Sequence, residues 1–374
     1  MNRVRRLPGA AVLVILGVGL ALGSSASARS LRVVPLVEHW DGTSWSQVAV
    51  PSGSPSLTAV VAPSATDVWA VGTSNVAVHW DGTSWQRVTL PTPKNIAAPA
   101  FWGAAAVSPD DVWAVGDVSP LHGASYAIID HWNGEHWKLV PGPPARSELY
   151  GIAALSANDV WAVGDASVRT ASGFERLALT LHWDGTAWTQ VPAPNPAPAT
   201  MPPGSFDNSL AAVAGSSPGD VWAVGSYYLW ANGVRGTRSL VLHWDGTHWA
   251  QAPTPDPLTP GHAGSLDGVA APSATGAWAV GWVNRHGGRH ALAERWNGER
   301  WSIVHTTSAA LSGVSALAAD DAWAAGGPNS GGVMTHWNGH FWTVVTKLDS
   351  RRGLAAVAEV SPTDVWAVGG LIRH

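Results

Sequence analysis

At 374 residues the chain is long enough for one large domain or two ordinary ones, and its net charge of −5 excludes the general basic surface that draws in nucleic acid. It has no Cys, so it carries neither a disulfide nor a cysteine-linked lipid anchor. Charged residues make up only 13%, and 24 Trp stand against 4 Phe and 4 Tyr. Arg greatly outnumbers Lys, a bias that reads as the coding of a GC-rich, bacterial genome.

The chain opens with Arg3, Arg5 and Arg6, then an apolar run over 10–22 that is short for a membrane span, then Ala26-Ser27-Ala28. This order of charge, apolar core and small residues predicts a secretory signal peptide over 1–28, cleaved after Ala28, and a secreted chain that starts at Arg29. An uncleaved N-terminal anchor is the alternative. Residues 29–374 then form a single domain.

Two phrases organise that domain. Asp-Val-Trp-Ala-Val-Gly stands at Asp67–Gly72 and recurs from Asp111, Asp159 and Asp220, in altered form from Gly276 and Asp321, and finally from Asp364. His-Trp-Asp-Gly-Thr-Ser-Trp, or a close variant, starts at His39, His79, His131, His182, His243, Arg295 and His336. The seven copies of each lie about 40 to 61 residues apart, the period of propeller blades, and take up every Trp except Trp102, Trp230 and Trp282. The first phrase is a short strand of apolar formers ended by Gly. The second is a strand end, an Asp-Gly turn and the start of the next strand. A third stretch of Ala, Val and Gly precedes each first phrase (57–62, 101–107, 149–155, 210–214, 266–271, 311–317 and 354–360) and suits the crowded innermost strand. The predicted fold is all-β, a seven-bladed propeller of four-stranded antiparallel blades. The chain begins with an outer hairpin and ends with an inner pair, so seven blades require one shared by the termini, 36–50 with 354–370.

The pattern of Val68 to Gly72, a variable loop, Trp80, the Asp81-Gly82 turn and Trp85 resembles the kelch-type propellers over about residues 36–370. It departs from them in keeping the double glycine only at Gly326-Gly327 and Gly369-Gly370 and in a shorter aromatic-to-Trp spacing. The resemblance implies a propeller and, often, a binding role, with no particular ligand. Galactose oxidase, a kelch-type enzyme, needs a Cys–Tyr crosslink that this chain cannot make.

The repeated His occurs once per blade on a strand face that is otherwise apolar, so it reads as a packed, hydrogen-bonded side chain and not as a metal ligand. The Asp-Gly turns lack the spaced carboxylates of a calcium loop. Neither a nucleophile elbow nor a phosphate loop occurs. No catalytic residue, metal or cofactor is assigned.

Length variation is confined to connections on one face. From the strand-ending Gly to the His position the chain runs between 6 and 17 residues, whereas the turns of the other face keep nearly fixed lengths. Loops on a rigid scaffold are where binding concentrates. Two groups of candidates lie there. Trp230 and Trp282 are expected in loops of adjacent blades, with Tyr227, Tyr228 and Arg235 near the first and Arg285 and His286 near the second. At the channel entrance the second residue of each inner strand reads Thr58, Trp102, Tyr150, Ala211, Asp267, Ser312 and Ala355. Trp102, Tyr150 and Asp267 break the small-residue rule. The reading is a secreted, monomeric, non-catalytic propeller that binds a glycan, a cell-envelope polymer or a protein. A polysaccharide lyase or glycoside hydrolase with its site at the channel mouth is the alternative, and a purely structural envelope protein the third.

Overall fold

The computed structural model describes residues 32–93, 98–119, 124–143, 146–170, 173–196, 207–231, 234–255, 263–285, 287–306, 309–327, 331–349 and 352–373. The expected signal peptide and His286 lie outside them. The described chain forms seven four-stranded antiparallel sheets, each running outward from an inner strand in simple meander order. Blade 1 is typical: Leu57–Ser64 innermost, then Asp67–Gly72, Val76–Trp80 and Trp85–Thr89. Blades 2 to 6 repeat this order, and their inner strands are Ala100–Ser108, Ser147–Ser156, Asn208–Ser217, Gly264–Ser273 and Leu311–Ala318.

Blade 7 takes its two inner strands, Arg352–Ser361 and Asp364–Arg373, from the end of the chain and its two outer strands, Arg32–Trp40 and Trp45–Gln47, from the beginning. The junction runs in continuous register from Arg32↔Arg373 to Trp40↔Val365. Side chains fasten it further. His39 Nε2 lies 2.8 Å from Asp364 Oδ1, and Arg352 Nη1 donates to the buried Glu38 carboxylate at 3.3 Å. Closing the ring this way leaves no open first or last blade.

The repeated phrases meet in each blade. The Trp of the first phrase is at most 3% exposed. It stacks under the His of its own blade at 4.0–4.5 Å between ring centroids in six blades. That His binds the Asp opening the first phrase at 2.6–3.2 Å. The sequence suggests that this Asp caps the preceding turn; its main partner is the His on the neighbouring strand. The same Trp also reaches across to the next blade and wedges between the two Trp of its hairpin, as Trp69 does with Trp132 and Trp137.

On the inner strands, side chains are small because the neighbouring blade is too close. A Cβ on Gly151 would stand 2.7 Å from Ala212 Cα, and one on Gly103 2.9 Å from the Tyr150 carbonyl oxygen.

Asp130 is an anomaly of the core. It is fully buried, neither carboxylate oxygen has a hydrogen-bond partner, and burial alone pushes its carboxyl from an ordinary 3.8 up to about 8. The unfolded chain releases this proton near pH 4 and the folded chain holds it to about pH 8. Asp130 is therefore tolerated best below the lower value, and stability falls as pH rises toward the upper one.

Two outcomes follow from this architecture. A chain that starts at Ser52 lacks both outer strands of blade 7 and is expected to lose its cooperative thermal transition, read by calorimetry; a melt like that of the parent would refute the shared blade. Asp130→Leu, the residue type found at the equivalent positions 181 and 242, is expected to stabilise by about 2 kcal/mol at pH 7.5, with a smaller gain at pH 4.5. Melting curves at the two pH values test the sign.

Candidate functional site

The two faces of the disc are built differently. On one, the two hairpin turns of each blade touch: a Cβ on Gly82 would meet Thr66 at 3.0 Å, and one on Gly42 would meet Thr363 at 2.9 Å. These glycines have φ near +90°, which the Asp-Gly turn requires. Asp81 Oδ1 accepts from the amides of Thr83 and Ser84, and Asp41 does the same with Thr43 and Ser44. This face repeats blade after blade.

The opposite face does not. The extra residues expected as loops prolong the second and third strands into tall hairpins in three adjacent blades. These are Asp159–Thr170 with Gly173–Trp183, Asp220–Ala231 with Val234–Trp244, and Gly276–Arg285 with Gly288–Trp296. Trp230, Tyr227, Tyr228 and Trp282 are therefore strand residues, not loop residues. β-Branched and aromatic side chains in these stretches, such as Val168, Tyr227, Tyr228 and Val283, favour strand pairing over an irregular loop. Trp230 pairs with Arg235, and Trp282 with Ala291 on one side and Ser265 on the other. The side chains of Trp230 and Arg235 lie outside what the structure describes. Arg285 is exposed at a hairpin tip, and Tyr228 is half-buried. Tyr227 is half-buried against the core between blades 3 and 4.

The channel mouth has a structural cause. In every blade the inner strand carries a register shift directly after its buried Leu or Phe, between Leu57 and Ala59, Phe101 and Gly103, Leu149 and Gly151, and so on round the ring. The skipped residues are Thr58, Trp102, Tyr150, Ala211, Asp267, Ser312 and Ala355. A β-bulge re-aims the extra side chain. All seven line one cavity of about 180 Å³ on the axis. The bulge also explains the Gly that ends each copy of the first phrase. A Cβ on Gly116 would lie 1.8 Å from the Ala100 carbonyl oxygen.

Each large residue at this mouth is held by a carboxylate. Trp102, 36% exposed, donates its indole N–H to Asp117 Oδ1 at 2.6 Å. Tyr150 donates its hydroxyl to Glu148 at 2.5 Å. Asp267 accepts from Ser265 Oγ at 2.8 Å and from the Trp282 indole, and Arg289 Cζ stands 4.0 Å above the Trp282 ring. Arg176 ties three acids together, Glu148 and Asp165 at 3.3 Å each and Asp207 at 3.7 Å. Burial pushes Asp267 up to about 6 against the pull of Ser265, Arg289 and Trp282, and pushes Asp165 up to about 6 against the pull of Arg176. Burial, then the bond to Glu148 and the nearby Asp165, drives the Tyr150 phenol far above its ordinary range.

Trp282 thus belongs to the channel mouth with Asp267, Trp102 and Tyr150, and not to a patch with Arg285 at the hairpin tips. Asp267 stands among the sequence candidates, whereas Asp117, Glu148 and Asp165 do not, although two of them carry a signal. Asp117 and Asp165 directly follow the first phrase, at the position held elsewhere by Thr73, Ser226, Trp282, Gly327 and Gly370.

The fold and this mouth define a seven-bladed β-propeller with one face elaborated over blades 2 to 5. No family model matches the chain, and no curated protein matches it. It is similar in fold to YCF48 bound to a D1 peptide, at 14% identity over 90% of this chain and 97% of that one, with a TM-score of 0.53. YCF48 from Cyanidioschyzon merolae gives 16% identity, 86% and 98% coverage and a TM-score of 0.55. The WD40 propeller domain of Doa1 gives 10% identity, 89% and 96% coverage and a TM-score of 0.55. The kelch resemblance has no family match behind it, and the likeness carries the propeller fold alone.

Framework and mouth residues should separate in a stability measurement. Trp222→Ala, in a framework Trp that is 1% exposed, is expected to lose about 3–5 kcal/mol, and Trp102→Ala about 1 kcal/mol or less. Chemical denaturation of both variants checks this; equal losses would place Trp102 in the framework.

Proposed function

We propose that the chain is a secreted, non-catalytic binding propeller that recognises an extracellular glycan, a cell-envelope polymer or a protein through its elaborated face. The observation that carries this is the confinement of irregularity. One face repeats the same turns in every blade, while the other concentrates three tall hairpins and the large residues of the mouth on neighbouring blades. A closed scaffold with one variable surface is the arrangement of a recognition module. YCF48, a propeller of similar fold, is seen with a peptide bound, which supports a protein ligand among the choices.

The test uses the exported chain. Its intact mass is expected to begin at Arg29, and a mass including residues 1–28 would remove secretion by a cleaved leader. Immobilised wall glycans and envelope proteins are then offered to the parent, to a Trp102→Ala/Tyr150→Ala variant and to Glu135→Ala on the uniform face. Retention is expected to fall at least tenfold only in the first variant, with no sugar released. Equal loss in both variants, or release of sugar by the parent, would overturn the reading.

A further inference from the structure

The mouth of the axial channel has a one-sided chemistry. Apart from the Ser312 hydroxyl, which can accept as well as donate, its side-chain donors are already engaged within the protein. The Thr58 hydroxyl donates to the Phe101 carbonyl of the next blade at 2.5 Å, the Ser265 hydroxyl to Asp267, and the Trp102, Tyr150 and Trp282 donors to carboxylates. An entering group therefore meets acceptors and ring faces. The acids on and behind the mouth are Asp117, Glu148, Asp165, Asp207 and Asp267, and the guanidiniums beside them are Arg176 and Arg289. Arg176 is shared among three acids and Arg289 is engaged over Trp282. The charge is local to the axis, since Arg169 and Arg285 are exposed on the surrounding hairpins.

Size narrows the occupant. The cavity, about 180 Å³, falls below the roughly 300 Å³ at which sites for whole small molecules begin. Four of the seven bulged positions that line it are Thr, Ala, Ser and Ala, which leave a well on the axis beside Trp102, Tyr150 and Asp267. A well of this kind admits one flexible side chain that carries donors at its tip. An apolar stem lies against the aromatic faces, and a cation at its end meets both the rings and the carboxylate. Sugar hydroxyls need donors as well as acceptors, and an amino sugar would have to bring its ring into the well along with its ammonium.

We propose, resting on the reading of this face as a binding surface, that the axial mouth is a pocket for a single lysine or arginine side chain of an extended protein segment. The segment crosses the elaborated face and inserts that side chain between Trp102, Tyr150 and Asp267. Selectivity comes from the excess of acceptors and from an acid excess that a cation offsets, so affinity should fall with salt.

The probes are acetylated, amidated heptaglycine peptides whose central residue is replaced by lysine, arginine, norleucine or glutamate, titrated calorimetrically into the exported chain. The lysine and arginine peptides are expected to bind at least tenfold more tightly than norleucine, with glutamate weakest. Asp267→Asn and Asp117→Asn are each expected to remove most of that preference, and Glu135→Gln on the opposite face to leave it intact. Melting curves establish that the variants are folded, and the Asp117→Asn/Asp267→Asn pair decides the matter if either single change is compensated. Equal binding of the lysine and norleucine peptides, an undiminished preference in the folded double variant, or tighter binding of glucosamine oligomers than of the lysine peptide would each overturn the proposal. Wall-polymer retention that depends on Trp102 and Tyr150 but is unaffected by Asp267→Asn would overturn this inference and leave the broader binding reading standing.

Discussion

The structure depends on one contact made seven times. A Trp from the second strand of each blade enters the angle between the two Trp of the next blade's outer hairpin, 4.8–5.5 Å from the first ring and 5.0–5.5 Å from the second. The second contact is edge-to-face, with interplanar angles of 74–89°. That is the favoured geometry for rings with opposite charge at face and edge, worth about 0.5–1.5 kcal/mol per pair beyond the burial of some 150–250 Å² per ring. It also gives buried indole N–H groups such as those of Trp69 and Trp161, which lack conventional acceptors among the described residues, a π face within reach. The circuit is complete only because Trp323 of blade 6 wedges against Trp40 and Trp45 from the start of the chain, and Trp366 from its end wedges against Trp80 and Trp85 of blade 1. Strand pairing and aromatic packing therefore close the ring at the same place, in a chain with no disulfide to do so.

The one blade that breaks the pattern breaks it in a correlated way. In blade 5 the Asp opening the first phrase is Gly276 and the stacked His is Arg295. A Cβ on Gly276 would fall 2.3 Å from Ala319 Cβ, so the neighbouring turn already occupies the space an Asp side chain would need. Without that carboxylate a His would lose its partner. Arg295 instead sets its guanidinium 5.7 Å from the Trp278 ring and 5.8 Å from Trp337, exchanging a hydrogen-bonded stack for cation–π contacts on both sides of the blade interface. The Trp278 indole then donates to the Ala319 carbonyl at 3.2 Å. The Trp wedge is kept and its supporting layer is rebuilt, which shows which of the two the architecture requires.

The blades, their closure and the packed state of the repeated His were legible because each rests on a period or an alternation that a linear sequence displays. The mouth was legible in part. The position of Trp102, Tyr150 and Asp267 on the inner strands could be counted, but the carboxylates that hold them could not. Asp117 reaches Trp102 only because a bulge displaces the register by one residue, and such a displacement leaves no mark in the alternation of side chains. For the same reason Trp282 reads as a hairpin-tip residue from its distance to the next phrase. Its pairing with Ser265 instead brings its indole to Asp267. The tall hairpins read as loops in the sequence because length alone does not distinguish an insertion that pairs with itself from one that wanders.

The bulge is also what lets one scaffold carry a variable site. The residue just before it is Leu57, Phe101, Leu149, Leu210, Leu266, Leu311 or Leu354, none more than 1% exposed, and its size is fixed by the blades on either side. The residue within it is lifted out of that packing and turned to the axis, where all seven line the cavity. Its identity runs from Ala to Trp while the residue before it stays a buried Leu or Phe. A change there alters the chemistry of the mouth while leaving the Trp circuit untouched. The two halves of each inner strand thus answer to different constraints: the part toward the repeated face is held small by close approach between blades, and the single bulged position is free to differ. Seven such positions, arranged in a ring by a framework that does not depend on them, are sufficient to make the axis the place where this propeller departs from its own symmetry.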